Sequence, residues 1–364
     1  RLTGGHPGIL RGDVDTRKDA PMRFRPLRAS SSPALVRDGL SVVPEHMSAV
    51  LFDATGTADV LRVGTTPTPT PILSEVLVQV VAAGVNPIDA KTRAGAGVSG
   101  SIERFPSTLG YDFSGIVVKS PYEAHPFPVG TEVFGMTSFP RSGGSYAEYV
   151  VAPTLSLARK PTSLSHVEAA GVPLAALTAW GLIVETAHAH EGQRILIHAG
   201  AGGVGHFAVQ LAAYFGAHVT ATGSGGNLGW LRELGASVVI DHTTMRFDEV
   251  AGEVDVVIDL VGNTHDDTGT RSLRALRPGG LYVLVPTGSW PDYTEAAEAA
   301  GVRATSYKVI PDGGVLATIA RLLESGAIQV YVDHVFPLAD VVDAHRQLER
   351  GHTRGKIVLA VGEG

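Results

Sequence analysis

The chain of 364 residues contains no cysteine, which excludes disulfide bonds and any zinc site with cysteine ligands. Gly, Pro or charged residues interrupt every apolar stretch well short of the roughly 20 residues that a membrane-spanning helix needs. Basic charge is also scarce, since 29 Lys and Arg residues face 36 Asp and Glu residues. The net charge of −7 gives no electrostatic reason to expect nucleic acid or a membrane surface as partner. We expect a cytoplasmic, globular protein with a small-molecule partner.

Glycine is abundant, with 44 residues, and one group of glycines has a regular spacing. The sequence predicts a short buried strand at Ile195–His198, an apolar helix at Val204–Phe215 and a further strand at Ala217–Thr222. The turn between the first strand and the helix has the G-x-G-x-x-G spacing of dinucleotide-binding proteins. The alternative is a glycine turn with a purely structural role. The residues predicted to contact the dinucleotide are Gly200, Ala201, Gly202, Gly203 and Val204.

The rhythm of the sequence changes along the chain. Residues 47–165 are short β-type runs separated by turn residues, and residues 166–305 alternate between strand and helix patterns. A helix is predicted at 315–325, a strand at 330–336, a helix at 339–349 and a final strand at 356–360. The predicted domains are 47–168 with 331–364, and 169–330. Residues 1–46 are predicted to be an N-terminal extension without functional residues, with the fold opening at Met47.

The end of the second predicted strand bears on the choice between NADH and NADPH. An Asp or Glu usually stands there to bind the ribose 2′-hydroxyl of NAD. The segment Thr222–Asn227 contains no acid, whereas Ser224 and Asn227 can form hydrogen bonds with a 2′-phosphate. NADPH is therefore favoured, and the alternative is a plain polar turn. Arg232 and His242 are the nearest basic candidates for a phosphate contact.

Five segments match a known family in its order along the chain. They are Gly84–Lys91, Leu109–Gly115, Gly143–Tyr149, Ala199–Gly205 and Gly351–Leu359. From Met47 to Gly364 the chain resembles the medium-chain dehydrogenase/reductase superfamily, in its zinc-free quinone oxidoreductase and enone reductase branch. The resemblance implies an α/β protein with a GroES-like β-rich catalytic domain and a Rossmann domain, whose doubly wound parallel sheet binds NADP.

The resemblance also bears on whether the protein binds a metal ion. Zinc-dependent relatives have Cys near Asn86 and Gly-His-Glu in place of Gly110-Tyr111-Asp112, so we expect no metal. An acceptor that conjugation already makes electrophilic, such as a quinone or an α,β-unsaturated carbonyl compound, then suits hydride transfer from NADPH. An enoyl reductase of acyl-thioester or polyketide-like substrates is a second hypothesis. A third is an NADPH-binding protein with little activity. A homodimer is a further expectation.

Several residues have roles implied by this resemblance. Asn86 and Lys91 are the catalytic candidates: Asn86 would contact the carbonyl or the ribose, and Lys91 would stabilise the enolate or relay a proton. The alternatives are that Asn86 caps its own turn and that Lys91 is a surface residue. Asp112 is interpreted as structural, with a proton relay as its alternative. Further cofactor contacts are expected at Thr178, Val261, Gly262, Thr287 and Lys356. Trp290, Tyr293 and Tyr307 are candidates for the acceptor pocket, with core packing as their alternative.

Overall fold

A computed structural model of the chain describes residues 43–141 and 143–362. Among these residues, no helix has both the length and the apolar character needed to cross a membrane. The predictions for residues 1–42 lie outside the described part. Strand β1 begins at His46, and the main-chain oxygen of Glu45 accepts a hydrogen bond from Thr68 N at 2.9 Å. The described fold therefore includes residues before Met47.

The first half of the described chain is built on β strands. Strands β1 and β2 form an antiparallel pair, and the following strands belong to a seven-stranded sheet with the order β14-β15-β3-β4-β5-β7, in which β6 also pairs with β3. The strands of this half are β1 (His46–Leu51), β2 (Arg62–Pro67), β3 (Glu75–Val85), β4 (Asp112–Lys119), β5 (Glu132–Met136), β6 (Tyr149–Pro153) and β7 (Leu157–Arg159). The last two strands of the chain, β14 (Val332–Pro337) and β15 (Lys356–Ala360), complete the larger sheet.

The second half contains a six-stranded sheet in which every pairing is parallel. Its order is β10-β9-β8-β11-β12-β13. The strands are β8 (Arg194–Ile197), β9 (His218–Gly223), β10 (Val238–Asp241), β11 (Val254–Asp259), β12 (Leu276–Leu284) and β13 (Arg303–Ser306). Ile195, Leu196 and Ile197 are fully buried, as expected for a central strand covered on both faces. Sequence patterning missed β13, because this edge strand is short, polar and partly exposed.

In the described residues, ten α-helices connect these strands. They are α1 (Pro87–Arg93), α2 (His166–Ala170), α3 (Pro173–Trp180), α4 (Gly205–Tyr214), α5 (Leu228–Glu233), α6 (Phe247–Val250), α7 (Thr268–Ala275), α8 (Tyr293–Ala299), α9 (Gly313–Glu324) and α10 (Val341–Glu349). A π-helical segment, Gly181–Thr186, extends α3. The predicted GroES-like and Rossmann architecture is confirmed. The domain boundaries at 168 and 331 stay predictions.

The position of β8 explains where a ligand can enter. Strand β8 lies between β9 and β11. From β8 the chain continues to β9 on one side, and from β11 it continues to β12 on the opposite side, so the strand order reverses between β8 and β11. In open parallel sheets the crevice at such a reversal is the usual ligand site. The largest hydrophobic cluster extends from α4 and β8 through α3 and α9 to Phe134 and Met136 of β5. This shared core fixes the six-stranded sheet against the β-rich part of the chain.

Candidate active site

The glycine turn, Ala199–Gly205, connects β8 to α4 and lies at this reversal point. Gly200 N donates to Thr222 O at 2.9 Å, and Gly202 N donates to Ala199 O at 2.9 Å. A Cβ atom on Gly205 would lie 2.2 Å from Ala199 O, so only glycine allows the helix to start this close to the strand. A Cβ on Gly202 would meet only Ala199 O, at 3.3 Å. The turn therefore presents bare backbone at the start of α4, where unpaired N–H groups suit a phosphate.

A buried histidine contacts the glycine turn. His206 is fully buried in the first turn of α4, and its Nδ1 lies 3.0 Å from Gly202 O. Tyr331 N donates to His206 Nε2 at 3.4 Å, so the proton is on Nδ1 and the ring is neutral. Burial lowers the pKa of His206 to about 4. His206 thus joins the glycine turn to the segment before β14.

The ends of β9 and β10 form the neighbouring part of the site. Ser224 and Asn227 are half-buried, and Asn227 Nδ2 donates to Ser224 Oγ at 3.1 Å. His242 is exposed, and its main-chain N donates to Gly223 O at 3.2 Å. Sequence analysis did not single out Asp241, whose carboxylate would lie 2.8 Å from a Cβ on Gly225. A carboxylate therefore approaches this turn from the next strand.

Three predicted cofactor contacts, Val261, Gly262 and Thr287, follow β11 and β12. Asp259 is fully buried, and its Oδ1 accepts hydrogen bonds from Val261 N and Gly262 N, both at 2.8 Å. Tyr282 donates its hydroxyl proton to Asp259 Oδ2 at 2.5 Å. Asp259 thereby fixes the turn that Val261 and Gly262 form at the edge of the sheet. Thr287 is exposed after β12.

A set of polar side chains, here called the buried polar cluster, lies where α1, β4 and β15 meet. It comprises Asn86, Asp89, Asp112, Tyr146 and Lys356, all buried. Asn86 Nδ2 donates to Asp112 Oδ2 at 2.9 Å, and Lys356 Nζ donates to Asn86 Oδ1. Lys356 Nζ also donates to Val85 O at 3.1 Å and lies 3.8 Å from Asp112 Oδ2. The ammonium group therefore lies beside the hydrogen-bonded pair Asn86 and Asp112.

Two carboxyl groups in this cluster have altered acidity. Burial raises the pKa of Asp112 and lowers the pKa of Lys356, and the attraction between their charges opposes both shifts. Burial raises the pKa of Asp89 to about 7, and the nearby charge of Asp112 adds to this shift. Asp89 Oδ2 accepts hydrogen bonds from Asn86 N at 2.8 Å and from the Tyr146 hydroxyl at 3.1 Å. Asp89 Oδ1 is buried without a partner in the described structure.

The two catalytic candidates occupy different environments. Asn86 is the N-cap of α1 and belongs to the buried polar cluster, whereas Lys91 lies exposed in the last turn of α1. The Asn86 amide uses its oxygen and one N–H within the cluster, so a single N–H remains for a ligand. Thr178 is buried, and its hydroxyl donates to Leu174 O of its own helix at 2.6 Å.

The aromatic candidates pack against different cores. Trp290 and Tyr293 pack on the cluster between β12 and α8, and Trp290 meets Tyr282 edge-on at 5.7 Å. Tyr307 packs against the largest core with its hydroxyl against Gly181, where it leaves no space for a Cβ atom. These three residues are therefore not gathered around one point of the glycine turn.

The positions that zinc-dependent relatives use for metal do not fit a cation here. Asn86 and Asp112 bond each other, and the ammonium group of Lys356 occupies the space beside both. A positive charge at this place repels a metal ion. In the described residues, no group of three or more His, Asp or Glu side chains could bind a metal ion.

Sequence reasoning assigned Lys356 to the cofactor and missed its contact with Asn86. It also missed Asp89, His206 and Asp241. The only sequence signal for Asp89 is its place three residues after Asn86, the capping-box spacing of α1. No local signal connects Lys356 to the start of α1.

Two family models match the chain. The model of the alcohol dehydrogenase GroES-like domain matches residues 73–162, and a model described as zinc-binding dehydrogenase matches residues 234–359. The first match covers strands of the larger sheet, and the second covers much of the parallel sheet together with β14 and β15. Both agree with the architecture described above.

Similar proteins identify the branch of the family. The 2-methylene-furan-3-one reductase of Solanum lycopersicum is 36% identical over 92% of this chain and 85% of its own length. The chloroplastic NADPH-dependent alkenal/one oxidoreductase of Arabidopsis thaliana is 33% identical over 93% of this chain and 86% of its own length. The structure of the quinone oxidoreductase from Coxiella burnetii is 38% identical with a TM-score of 0.82, and it covers 87% of this chain and 100% of its own. The chain therefore belongs to the zinc-free quinone and enone oxidoreductase branch of the medium-chain dehydrogenase/reductase superfamily and is an oxidoreductase.

Proposed function

We propose that the protein reduces quinones or α,β-unsaturated carbonyl compounds with NADPH and without a metal ion. The observation that carries the proposal is the position of the glycine turn next to the buried polar cluster, in which the ammonium group of Lys356 contacts Asn86 and lies 3.8 Å from Asp112 Oδ2. The names of the tomato and Arabidopsis relatives support the acceptor class. A cytoplasmic location and a homodimer stay predictions.

NADPH would bind along the carboxyl edge of the parallel sheet. The glycine turn fits its pyrophosphate, because the backbone there carries no side chain at Gly202 and leads directly into α4. Ser224 and Asn227 would contact the adenosine ribose. Val261 and Gly262, whose backbone Asp259 fixes, would contact the part of NADPH on the nicotinamide side of the pyrophosphate. When bound, NADPH supplies a hydride from C4 of its nicotinamide.

The chain's own contribution is positioning and charge stabilisation. Hydride addition to a conjugated acceptor places negative charge on an enolate or hydroquinone oxygen, and a nearby donor stabilises that charge. Lys91 is the proposed donor, because its ammonium group is exposed on the α1 face and not buried in the cluster. Lys356 and Asp112 hold the Asn86 amide in one orientation, so that its remaining N–H has a fixed direction.

Stopped-flow measurement of NADPH oxidation tests the acceptor class. We expect rapid turnover with a quinone and with a short enone, slower turnover with an enoyl thioester, and no change after chelation. Fastest turnover with the thioester would favour an enoyl reductase. Binding of NADPH without oxidation by any of the three acceptors would favour a binding protein. Loss of activity on chelation, restored by zinc, would contradict the metal-free proposal.

The cofactor preference has a separate test. Because Ser224 lies at the end of β9, Ser224→Asp would place a negative charge beside a 2′-phosphate. We expect this variant to bind NADH more tightly than NADPH in calorimetric titration, while the wild-type protein prefers NADPH. Equal affinity of the wild-type protein for both cofactors would contradict the proposed preference.

A further inference from the structure

Arg354 lies in the loop between α10 and β15, and its guanidinium group stacks on two aromatic rings. The guanidinium carbon is 4.2 Å from the centre of the Trp230 ring and 5.0 Å from the centre of the Tyr331 ring. The two rings are themselves 5.1 Å apart. Stacking of this kind fixes the plane of a guanidinium group. Arg354 is therefore held in one orientation before any ligand binds.

The charge of Arg354 lacks a counter-ion. Within residues 43–141 and 143–362, its guanidinium group forms no ion pair, and its Nε is buried without a hydrogen-bond partner. Asp333 is the acidic residue that contacts this loop, but its carboxylate accepts from the main-chain N of Arg354 at 3.2 Å and lies 3.1 Å from His334 Nδ1. A preorganised cation without a counter-ion favours an anionic ligand, particularly one with several oxygens.

The loop places this cation beside the dinucleotide site. The main-chain N of Gly355, the residue after Arg354, donates to Ala201 O in the glycine turn at 2.9 Å. Trp230 lies on α5, three residues after Asn227, and its ring stacks on His206 of α4 at 6.1 Å. Arg354 thus lies between the beginnings of α4 and α5. In a dinucleotide fold the adenosine ribose lies at this place, between the pyrophosphate and the end of the second strand.

We infer that Arg354 binds the 2′-phosphate of NADPH, with Trp230 and Tyr331 as its platform. The inference rests on the proposed use of NADPH and supplies the basic contact which that proposal lacks. Trp230 of this platform is on α5, the helix that follows the ribose end of the site, whereas the pyrophosphate would lie at the start of α4. The basic residues suggested by sequence, Arg232 and His242, are both exposed and have no such platform among the described contacts. Arg354 also offsets the repulsion between Asp241 and a 2′-phosphate.

Calorimetric titration with NADPH and NADH tests this inference. We expect Arg354→Gln to weaken NADPH binding by about 10- to 100-fold, since hydrogen bonds to charged groups contribute about 1.5–3 kcal/mol. NADH affinity should stay within about twofold of wild type, because NADH lacks the 2′-phosphate. Arg354→Lys should recover part of the loss. Arg232→Gln, which removes the same charge from the exposed side of α5, is the matched control and should change neither affinity.

The adenosine fragments separate the possible failures. Binding of 2′,5′-ADP should weaken in Arg354→Gln while binding of 5′-AMP stays the same. Equal weakening of NADPH and NADH would assign Arg354 to the pyrophosphate and overturn the inference, as would an unchanged NADPH affinity. Weakening in Arg232→Gln alone would assign the phosphate to Arg232 and also overturn it. If the wild-type protein binds NADH as tightly as NADPH, the proposed cofactor preference itself fails. If the wild-type protein prefers NADPH and Arg354→Gln keeps the same preference, only the assignment of Arg354 to the 2′-phosphate fails. Circular dichroism and thermal unfolding confirm that each variant folds.

Discussion

The glycine turn and the buried polar cluster occupy neighbouring positions but are built in opposite ways. The turn uses main-chain groups from seven consecutive residues, and its shape depends on the absence of side chains at Gly202 and Gly205. The cluster uses side chains from distant parts of the sequence, with Asn86 and Lys356 separated by 270 positions. The comparison indicates that a cofactor cradle can be encoded locally, whereas the charge balance beside it depends on the whole fold. The following variants break one region while leaving the other intact.

The largest effect is expected from Lys356→Met, which leaves Asp112 buried without its cation. Breaking a buried ion pair by removing one partner typically costs about 3–5 kcal/mol of folding free energy. Urea unfolding should show a loss of this size, and the double variant Lys356→Met/Asp112→Asn should recover most of it. Lys91→Met is the matched control and should change stability by no more than about 0.5 kcal/mol. Equal stability of Lys356→Met and wild type would show that the pair does not stabilise the fold.

In the glycine turn, Gly205→Ala should weaken NADPH binding by about tenfold or more. An extra carbon in tight packing introduces strain of about 1–3 kcal/mol, and relieving it shifts the backbone groups that would bind the pyrophosphate. Its Cβ would lie 2.2 Å from Ala199 O. Gly229→Ala, on α5 with no atom within 4 Å of the added carbon, is the control and should bind NADPH normally. Calorimetric titration measures both. Normal NADPH binding by Gly205→Ala would mean that the turn adapts and that its close packing is not required.

Lys91→Ala tests whether the exposed lysine, rather than the buried one, acts on the acceptor. Removing one donor that stabilises developing charge costs about 10²–10³-fold in rate. Solvent can replace an exposed donor, so we expect kcat to decrease by about 10²-fold or less, with NADPH affinity almost unchanged. Lys91→Arg should recover part of the rate. Full activity of Lys91→Ala with an enone would show that Lys91 is a surface residue without a role in turnover.

Asp89 links the buried polar cluster to pH. Its pKa is raised from 3.8 to about 7 in the folded protein, so the folded state binds the proton more tightly than the unfolded state does. The stability contributed by this proton is complete below the unfolded pKa and is lost as pH rises through the folded pKa. Asp89→Asn keeps an acceptor for Asn86 and Tyr146 and should reduce the loss of stability between pH 5 and pH 8. Urea unfolding at both pH values measures the change.

A surface control distinguishes this effect from general charge removal. Asp292→Asn removes an exposed carboxylate and should leave the pH dependence as in wild type. If Asp89→Asn shows the same decline in stability between pH 5 and pH 8 as wild type, Asp89 does not titrate in this range.

The smallest effect is expected from Asp241→Asn, beside the turn that follows β9. Exposed charge interactions are typically about 0.2–1 kcal/mol, so removing this carboxylate should tighten NADPH binding by up to about fivefold. NADH binding should stay the same, because the carboxylate would act on the 2′-phosphate alone. Titration at low and high salt should show that the gain shrinks as salt increases. Tighter binding of both cofactors would place the effect of Asp241 elsewhere than the ribose.

The strands and helices for which the sequence analysis gave bounds followed from local patterns. The predicted strands at 195–198 and 356–360 and the predicted helix at 339–349 agree with β8, β15 and α10 to within two residues at each end. One strand that the sequence analysis missed, β13, is an edge strand whose polar residues lack the apolar signal of a central strand. The glycine spacing also located the turn correctly at the carboxyl end of β8. The catalytic roles of Asn86 and Lys91 stay predictions.

The sequence by itself determined the family, the two-sheet architecture and the place of the glycine turn, because each depends on spacing within a few dozen residues. Only the tertiary structure decided which lysine is buried and which is exposed, and that Arg354 stacks on Trp230. These outcomes depend on strand pairing that joins β15 to β3 and on the shared core that holds the two sheets together. Burial and charge pairing are properties of such long-range neighbours, and the local pattern around a lysine or arginine carries no information about them.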